Sequence, residues 1–364
     1  MKLSDIATAL GARFVGDGDA PVARVVHPAE ARDATDLALA MEREMLELLS
    51  NSAAGAAVVA EGTLPPSGAT LRGWIEVKRP RYAMAGLLEL FARPVRAVPG
   101  VHSSAVVEPG ATLGRNVSIG PFVYIGADVV LGDGCTILSH VTIAADARLG
   151  DECLIHPGVR IGERVVLGDR VIVHQNASLG ADGFSFVTPE RGSVEHARAV
   201  GVIKATNQIL TRINSIGSVV VGNDVEIGAC TAIDRGTVSD TRIGDGTKID
   251  DLVMIGHNVV VGQNCMLCGQ VGLAGSVRIG NRVVLAGQVG VADHIRIGDD
   301  SVIAGGSGVA QNVPPKSVMV GYPAMTKAQK TEEYLYLKRL RAMHDDIREL
   351  KRRAKAVESA VEKG

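Results

Sequence analysis

His257 is the residue of this sequence best suited to move a proton. It lies in "IDDLVMIGHNVVVG", residues 249–262, where its neighbours are aliphatic, small or simple polar residues. The pKa of an unperturbed imidazole is near physiological pH, so a neutral histidine can take a proton from an attacking nucleophile. A second chemical signal is the Cys265 and Cys268 pair, but no further pair at zinc-ribbon spacing accompanies it, which favours a structural role. His257 is therefore the first candidate for a catalytic base.

A six-residue repeat defines the element that must position His257. Aliphatic residues recur at every sixth position from Val101 to Leu179, again from Val221, and from Ile243 to Val309 after a four-residue insertion near 239–242. Hexapeptides such as "LGDRVI" and "IGNRVV" fit a short strand followed by a tight turn, because strands alone have period two and helices period 3.6. Such units predict a parallel β-helix.

The repeat resembles the left-handed hexapeptide β-helix, in which three hexapeptides form one triangular coil of eighteen residues. That resemblance implies that residues eighteen apart stack at about 4.8 Å, the spacing of neighbouring strands. Gly275 then stacks on His257, and its N–H, open because glycine lacks a side chain, could stabilise an oxyanion. His294 emerges near the same edge, two coils and one residue further on. We expect His257, Gly275 and His294 to form one site.

Two other regions flank the repeat. Residues 1–97 mix helical and strand-like stretches and predict a small α/β domain, and residues 98–322 form the β-helix with an excursion at 182–215. Residues 323–364 predict a helical extension whose apolar residues recur at alternating spacings of four and three, which requires a partner such as the same helix of other subunits. The apolar positions are Tyr336, Leu340, Met343, Ile347, Leu350, Ala354, Val357 and Val361.

Composition limits the remaining possibilities. The 364 residues include 43 glycines and only 3% aromatic residues, which suits a narrow, repetitive core. The formal net charge of -2 gives no sign of nucleic-acid binding. The first residues never build an apolar stretch of signal-peptide length, so we expect a cytoplasmic protein.

Several motifs resemble the UDP-3-O-(3-hydroxyacyl)glucosamine N-acyltransferase family of lipid A biosynthesis. They are "GADGFSF" at 180–186, "ACTAIDRG" at 229–236, "GHNVVVG" at 256–262, "VADHIRIG" at 291–298 and "GYPA" at 321–324. The resemblance implies a Gram-negative homotrimer with active sites between neighbouring prisms. It also implies transfer of a 3-hydroxyacyl chain from acyl carrier protein to the 2-amino group of a UDP-linked, 3-O-acylated glucosamine, with no cofactor or metal beyond the carrier's phosphopantetheine.

Matched to that family, His257 is the catalytic base and His294 a second functional histidine. Asp250, in the hexapeptide before His257, could orient the imidazole or hold sugar hydroxyls, although a solvated turn aspartate fits equally. We expect Phe184 of the excursion, with Asp251 and Met254, to contact substrate. Residues 1–97 would bind uridine, yet "DATDLALAMEREMLELLSN" at 33–51 lacks the aromatic residues that the family stacks on uracil.

The helical extension carries a basic cluster that could dock an acidic carrier protein. Its members are Arg348, Lys351, Arg352, Arg353 and Lys355. A solvated helix face is the alternative interpretation.

Three other functions remain open on the sequence. An acyl- or acetyltransferase acting on a different nucleotide sugar shares the prism and helical tail. A trimeric zinc carbonic anhydrase is suggested by His156 and His174, which are eighteen apart, although His140 does not fall in their column. A non-catalytic solenoid is disfavoured by the two breaks in the repeat.

Overall fold

The computed structural model describes residues 1–203, 208–321 and 324–361, which divide into two compact units, Met1–Arg96 and Ala97–Gly364. The expected boundary at 97/98 lies beside this division. The expected start of the helical extension at 323 falls on residues 322–323, which lie outside the described part of the chain.

The first unit is an α/β fold built on a five-stranded sheet of order β1-β5-β4-β3-β2, in which only β1 and β5 are antiparallel. Both faces of β4 are buried, Val58 against the cluster that contains Leu3 and Leu87, and Val59 against the cluster that contains Leu49. Covering helices explain that burial on both faces. The elements are α1 Leu3–Ala9, β1 Arg13–Gly16, β2 Arg24–Val26, β3 Asp36–Ala40, α2 Arg43–Glu47, β4 Ala56–Ala60, β5 Gly73–Val77 and α3 Pro80–Leu90, with 3-10 turns at Pro28–Glu30 and Leu48–Asn51.

The second unit is a parallel β-helix with three sheets, which we number as faces in chain order. Face 1 contains Gly100–Val101, Ser118–Ile119, Thr136–Ile137, Leu154–Ile155, Ile172–Val173, Glu226–Ile227, Lys248–Ile249, Met266–Leu267, Val284–Leu285, Val302–Ile303 and Val318–Met319. Face 2 contains Val106–Val107, Tyr124–Ile125, Thr142–Ile143, Arg160–Ile161, Ser178–Ala181, Ala232–Asp234, Met254–Ile255, Gly272–Leu273, Gly290–Val291 and Gly308–Val309. Face 3 contains Thr112–Leu113, Val130–Leu131, Arg148–Leu149, Val166–Leu167, Val219–Val221, Thr241–Ile243, Val260–Val261, Arg278–Ile279 and Arg296–Ile297.

Two side chains of each hexapeptide fill the interior, as the repeat predicts. In the inner coils the inward-facing aliphatic residue of the strand is buried, as Ile255 is, and so is the small residue two positions before it, as Val253 is. Each coil rests directly on the next, Ile255 pairing with Ile233 on one side and Leu273 on the other. An interior this narrow holds aliphatic side chains in stacked rows, which explains the scarcity of aromatic residues.

The turns form three corners, the first between faces 1 and 2, the second between faces 2 and 3, and the third between faces 3 and 1. At the third corner the recurring aspartate accepts a backbone N–H from the coil before it. The Asp133 N–H donates to Asp151 Oδ1 at 2.8 Å, and the Asp151 N–H donates to Asp169 Oδ1 at 2.9 Å. These bonds satisfy turn amides that the sheets leave unpaired, which explains the "GD" of the repeat.

Both breaks in the repeat occur at the second corner. The excursion leaves face 2 after Ala181 and returns to face 3 at Val219, and its described elements are a hairpin of Phe186–Val187 with Thr211–Arg212 and the helix α4, Ser193–Val200. The four-residue insertion leaves face 2 after Asp234 and reaches face 3 at Thr241. The parallel pairing of face 2 strands continues past both breaks in the repeat, since Ser178 pairs with Ala232 and Ala232 with Met254.

The final element is the single helix α5, Lys327–Val361. Its apolar stripe is exposed in this chain, with Leu340, Ile347 and Leu350 each at least half accessible. In the described part of the chain, no helix has the length and apolar character needed to cross a membrane.

Candidate active site

His257 lies at the second corner, directly after the strand Met254–Ile255 of face 2. The next residue, Asn258, has a left-handed backbone with φ of 61°, a conformation that asparagine tolerates well. The ring Nδ1 is 3.0 Å from Asn258 Oδ1 and 3.3 Å from Thr237 Oγ1. Thr237 belongs to the connection between Asp234 and Thr241, which the four-residue insertion lengthens, so that break in the repeat supplies one wall of the imidazole site.

The hydrogen bonds of Asn258 determine which ring nitrogen of His257 is free. The Asn258 Nδ2 donates to the Ser239 carbonyl at 2.8 Å, and Asn258 Oδ1 accepts the Thr237 N–H at 3.0 Å. These partners fix the amide orientation, so the oxygen faces the imidazole and Nδ1 must carry the ring proton. Nε2 therefore holds the lone pair, which is the state a general base requires.

Two glycines enclose the ring. A Cβ at Gly275 would lie 2.7 Å from Nε2, and a Cβ at Gly183 would lie 2.6 Å from the His257 Cβ, so neither position admits a side chain without displacing the histidine. Within the described part of the chain the Gly275 N–H has no acceptor. An open amide beside a basic nitrogen is the pair of groups that attack on a carbonyl requires.

Gly183 belongs to the excursion, which is fastened over the imidazole by polar contacts. The Gly183 N–H donates to Ser215 Oγ at 3.3 Å, and Arg212 Nη1 is 2.9 Å from Asp182 Oδ2. Phe184 follows with 85% of its surface exposed and its ring tilted against Phe186 at 5.1 Å. The structure thus places the expected substrate contact Phe184 one residue from the glycine that covers the base.

The remaining expected residues near this corner are Met254 and His294. Met254 is exposed on face 2, three residues before His257. His294 is exposed at the second corner with φ of 62°, and its N–H donates to the Gly275 carbonyl at 3.1 Å. Both lie at the predicted edge, and within the described part of the chain neither side chain forms a hydrogen bond with the imidazole.

Asp250 and Asp251 lie at a different corner from His257, so Asp250 does not orient the imidazole of its own chain. They follow the face 1 strand Lys248–Ile249 and occupy the first corner. Asp250 Oδ2 accepts the Gly269 N–H at 2.8 Å, and Asp251 Oδ1 accepts the Ala229 N–H at 2.6 Å. Both line a shallow cavity of about 280 Å³ with His174, Glu226, Lys248 and Met266. The imidazole is oriented by Asn258 and Thr237 instead.

A residue that sequence reasoning missed is Asp234, the last residue of the strand before Thr237. It is 6% exposed and lies on the coil next to that of His257, whose charged form favours ionisation of the Asp234 carboxyl. Burial is the larger effect and raises the pKa of Asp234 to about 6. The sequence did offer a signal, because Asp234 stands at a position of the hexapeptide that usually has glycine or alanine.

The histidine pair of the zinc hypothesis does stack, with the rings of His156 and His174 4.9 Å apart. The His174 Nε2 lies 2.8 Å from Glu226 Oε1, and desolvation lowers the pKa of His156. Among the described residues no three histidine, cysteine, aspartate or glutamate side chains converge on a point where a metal could bind. The pair therefore forms a polar row on the first corner.

The basic cluster of α5 separates into two groups. Arg348, Lys351, Arg352 and Lys355 line one open cleft of the helix surface together with the acidic residues Asp345 and Glu349. Arg353 is not part of that lining, and its Nε lies 2.9 Å from Glu349 Oε1. Arg352 also contacts Glu349 Oε1 at 2.9 Å, and the two arginines lower the pKa of that glutamate.

The coils and the half-buried histidine define a class, the hexapeptide-repeat acyltransferases. The family described as "Bacterial transferase hexapeptide (six repeats)" matches residues 240–275, and "GMPPB C-terminal domain" matches residues 98–183. Among solved structures, an Arabidopsis UDP-N-acetylglucosamine acyltransferase is 26% identical with a TM-score of 0.50, covering 61% of this chain and 71% of its own.

The chain belongs to the UDP-3-O-acylglucosamine N-acyltransferase family and is an acyltransferase. A protein of that name from Ruegeria pomeroyi is 45% identical over 96% of this chain and 97% of its own. Another from Paracoccus denitrificans is 46% identical over 76% of this chain and 75% of its own. The expected family is thereby confirmed.

Proposed function

We propose that this enzyme transfers a 3-hydroxyacyl chain from acyl carrier protein to the 2-amino group of UDP-3-O-(3-hydroxyacyl)-glucosamine, in the cytoplasm, giving UDP-2,3-diacylglucosamine for lipid A biosynthesis. The observation that carries this proposal is the imidazole held by Asn258 with its free Nε2 against Gly275. The relatives named UDP-3-O-acylglucosamine N-acyltransferase support the acceptor. An acyl- or acetyltransferase for a different nucleotide sugar is the alternative.

The proposed reaction uses each group once. The amine nitrogen forms a bond to the thioester carbonyl carbon while His257 Nε2 takes its proton, and the carbonyl electron pair moves to the oxygen, where the Gly275 N–H donates to it. Collapse of this intermediate breaks the carbon–sulfur bond, and the imidazolium returns the proton to the departing thiolate. The acyl group arrives on the carrier's phosphopantetheine, so the proposal needs no metal or other cofactor.

The proposal includes a homotrimer of left-handed prisms. The exposed apolar stripe of α5 supports it, because a helix with that pattern is stabilised by burial against identical helices. In such a trimer the first corner of one subunit would meet the second corner of the next, and Asp250 and Asp251 would reach the substrate of a neighbouring His257. His294, Phe184 and Met254 would line the same cleft, and the α/β unit would hold uridine.

The test measures acyl transfer to UDP-3-O-acylglucosamine from two donors, the 3-hydroxyacyl thioester of acyl carrier protein and that of coenzyme A. Product formed faster from the carrier-protein donor supports the proposal. Transfer only to another amino sugar nucleotide would establish the alternative acceptor, and equal use of coenzyme A would remove the carrier protein from the proposal.

The basic cleft of α5 gives a prediction about the donor. Changing Arg348 and Lys351 to glutamate is expected to raise the apparent KM for acyl carrier protein about tenfold or more with kcat unchanged, because the repelled partner is acidic. Steady-state kinetics at several salt concentrations measure it, and added salt should reduce the difference from the parent.

The matched control changes Lys338 and Arg341, two other basic residues of α5 outside that cleft, to glutamate. This double variant carries the same change in net charge, and its KM for the carrier should stay within about twofold of the parent. Equal effects of the two double variants would leave the cleft without a docking role.

A further inference from the structure

Between residues 126 and 310, Asp234 is the one charged member of a row of the β-helix that otherwise holds glycine and alanine there; Glu108 begins the row on a coil whose strand is exposed. The row lies at the second corner, immediately after the inward-facing aliphatic residue of each face 2 strand. Its other members between residues 126 and 310 are Gly126, Ala144, Gly162, Gly180, Gly256, Ala274, Ala292 and Ala310. A charged residue in this row therefore serves something other than the packing of successive coils.

The surroundings of Asp234 give its carboxylate little compensation. It is 6% exposed and makes no hydrogen bond to any described residue. A largely buried carboxylate without hydrogen bonds costs free energy when it ionises. Proteins retain such unfavourable groups most often where function needs them.

Asp234 and the catalytic histidine lie on neighbouring coils. The strand ending at Asp234 pairs with Met254–Ile255, so Asp234 lies beside Gly256, the residue before His257. Two charged groups act on the Asp234 carboxyl. Protonated His257 favours its ionised form, and Asp182 disfavours it. Asp182 is held by Arg212, and Arg235 turns its Nε to the Gly180 carbonyl at 2.7 Å. The positive charge that acts on Asp234 during the reaction is therefore that of the His257 imidazolium.

We propose that Asp234 is a positioning residue that stabilises the imidazolium form of His257 as the base takes the proton of the attacking amine. Asp234 itself exchanges no proton in the step; its negative charge favours the product of proton transfer. The inference rests on the proposed function for its substrates, but it concerns an interaction that can be measured without them.

Asp234→Asn is expected to lower kcat about 10- to 100-fold with little change in either KM, because it removes a partly buried charge beside the imidazolium. The acidic limb of the kcat/KM profile should move to lower pH, since the imidazolium loses a stabilising neighbour. Asp146→Asn removes a charge from an exposed turn of the same corner and should leave rate and profile unchanged.

Two further measurements separate this role from a structural one. Because burial raises the pKa of Asp234 from 3.8 to about 6, the parent loses stability as the pH rises between these two values, and the full penalty remains at higher pH. The stability of Asp234→Asn relative to the parent should therefore rise between pH 4 and 7, whereas a structural carboxylate would make the variant less stable at neutral pH.

Proton NMR of the His257 ring, without substrate, should show it titrating at lower pH in Asp234→Asn than in the parent. An unchanged ring titration, or a variant with the parent's rate and pH profile, would overturn the proposal. Failure of the parent to acylate the proposed acceptor would count against the function alone, because the ring titration stands independently of it.

Discussion

His257→Ala is expected to lower acyl transfer by a hundredfold or more, the largest effect of any single substitution considered. The reason is that His257 Nε2 is the ring nitrogen left free by the Asn258 contact, and general-base catalysis typically contributes about 10²- to 10⁴-fold. Single-turnover kinetics with saturating donor and acceptor measure the chemical step directly.

His140→Ala is the control for that result, because His140 is exposed at the first corner and stacks on Phe122 rather than facing the site. It should retain the parent's rate. The His257→Ala protein must keep the parent's molecular mass in solution and melting temperature. Transfer that survives His257→Ala in a folded protein would support the proposed reaction but show that His257 is not its general base.

Gly275→Ala is expected to reduce the rate about a hundredfold while the protein stays folded. The new methyl would lie 2.6 Å from Cε1 and 2.7 Å from Nε2 of His257, so the imidazole must rotate away from Asn258. Displacing a catalytic group by about 1 Å can cost two orders of magnitude in rate. The Gly275 N–H survives the substitution, so the loss reports on the position of the base.

Gly305→Ala provides the comparison, because Gly305 is also the third residue of its hexapeptide but lies at the first corner. A Cβ there would meet one atom within 4 Å, the Gly287 carbonyl oxygen at 3.2 Å, and no histidine. Its rate should match the parent's. Full activity in Gly275→Ala would mean that the imidazole position described here is not the reactive one.

The repeat allowed His257 and Gly275 to be placed together from sequence, because a fixed period fixes which residues stack. The same period explains why Asp250 lies apart from His257. The hexapeptide before that of His257 ends at the preceding corner, so residues that are close in sequence are separated around the coil. Asp234 was not recognised from the sequence because its position in the hexapeptide is typical of a turn. The signal that the sequence offered was an aspartate where the neighbouring coils have glycine or alanine.

Thr237 and Gly183 could not be placed from the period, because both lie where it fails. The insertion and the excursion follow no repeat, and their course over the second corner depends on contacts such as Arg212 with Asp182 and Gly183 with Ser215. The departures from the repeat, which look like defects in the sequence, supply the walls of the site.

The coil-by-coil architecture also bears on how activity is acquired during folding. Each coil touches only its neighbours, so order spreads along the chain as it does in other repeat proteins. The imidazole environment draws on Gly183, Thr237 and Gly275, segments separated by the whole excursion and by two further coils. A chain whose ladder has not closed across the excursion has no enclosed imidazole, so we expect partly folded molecules to be inactive.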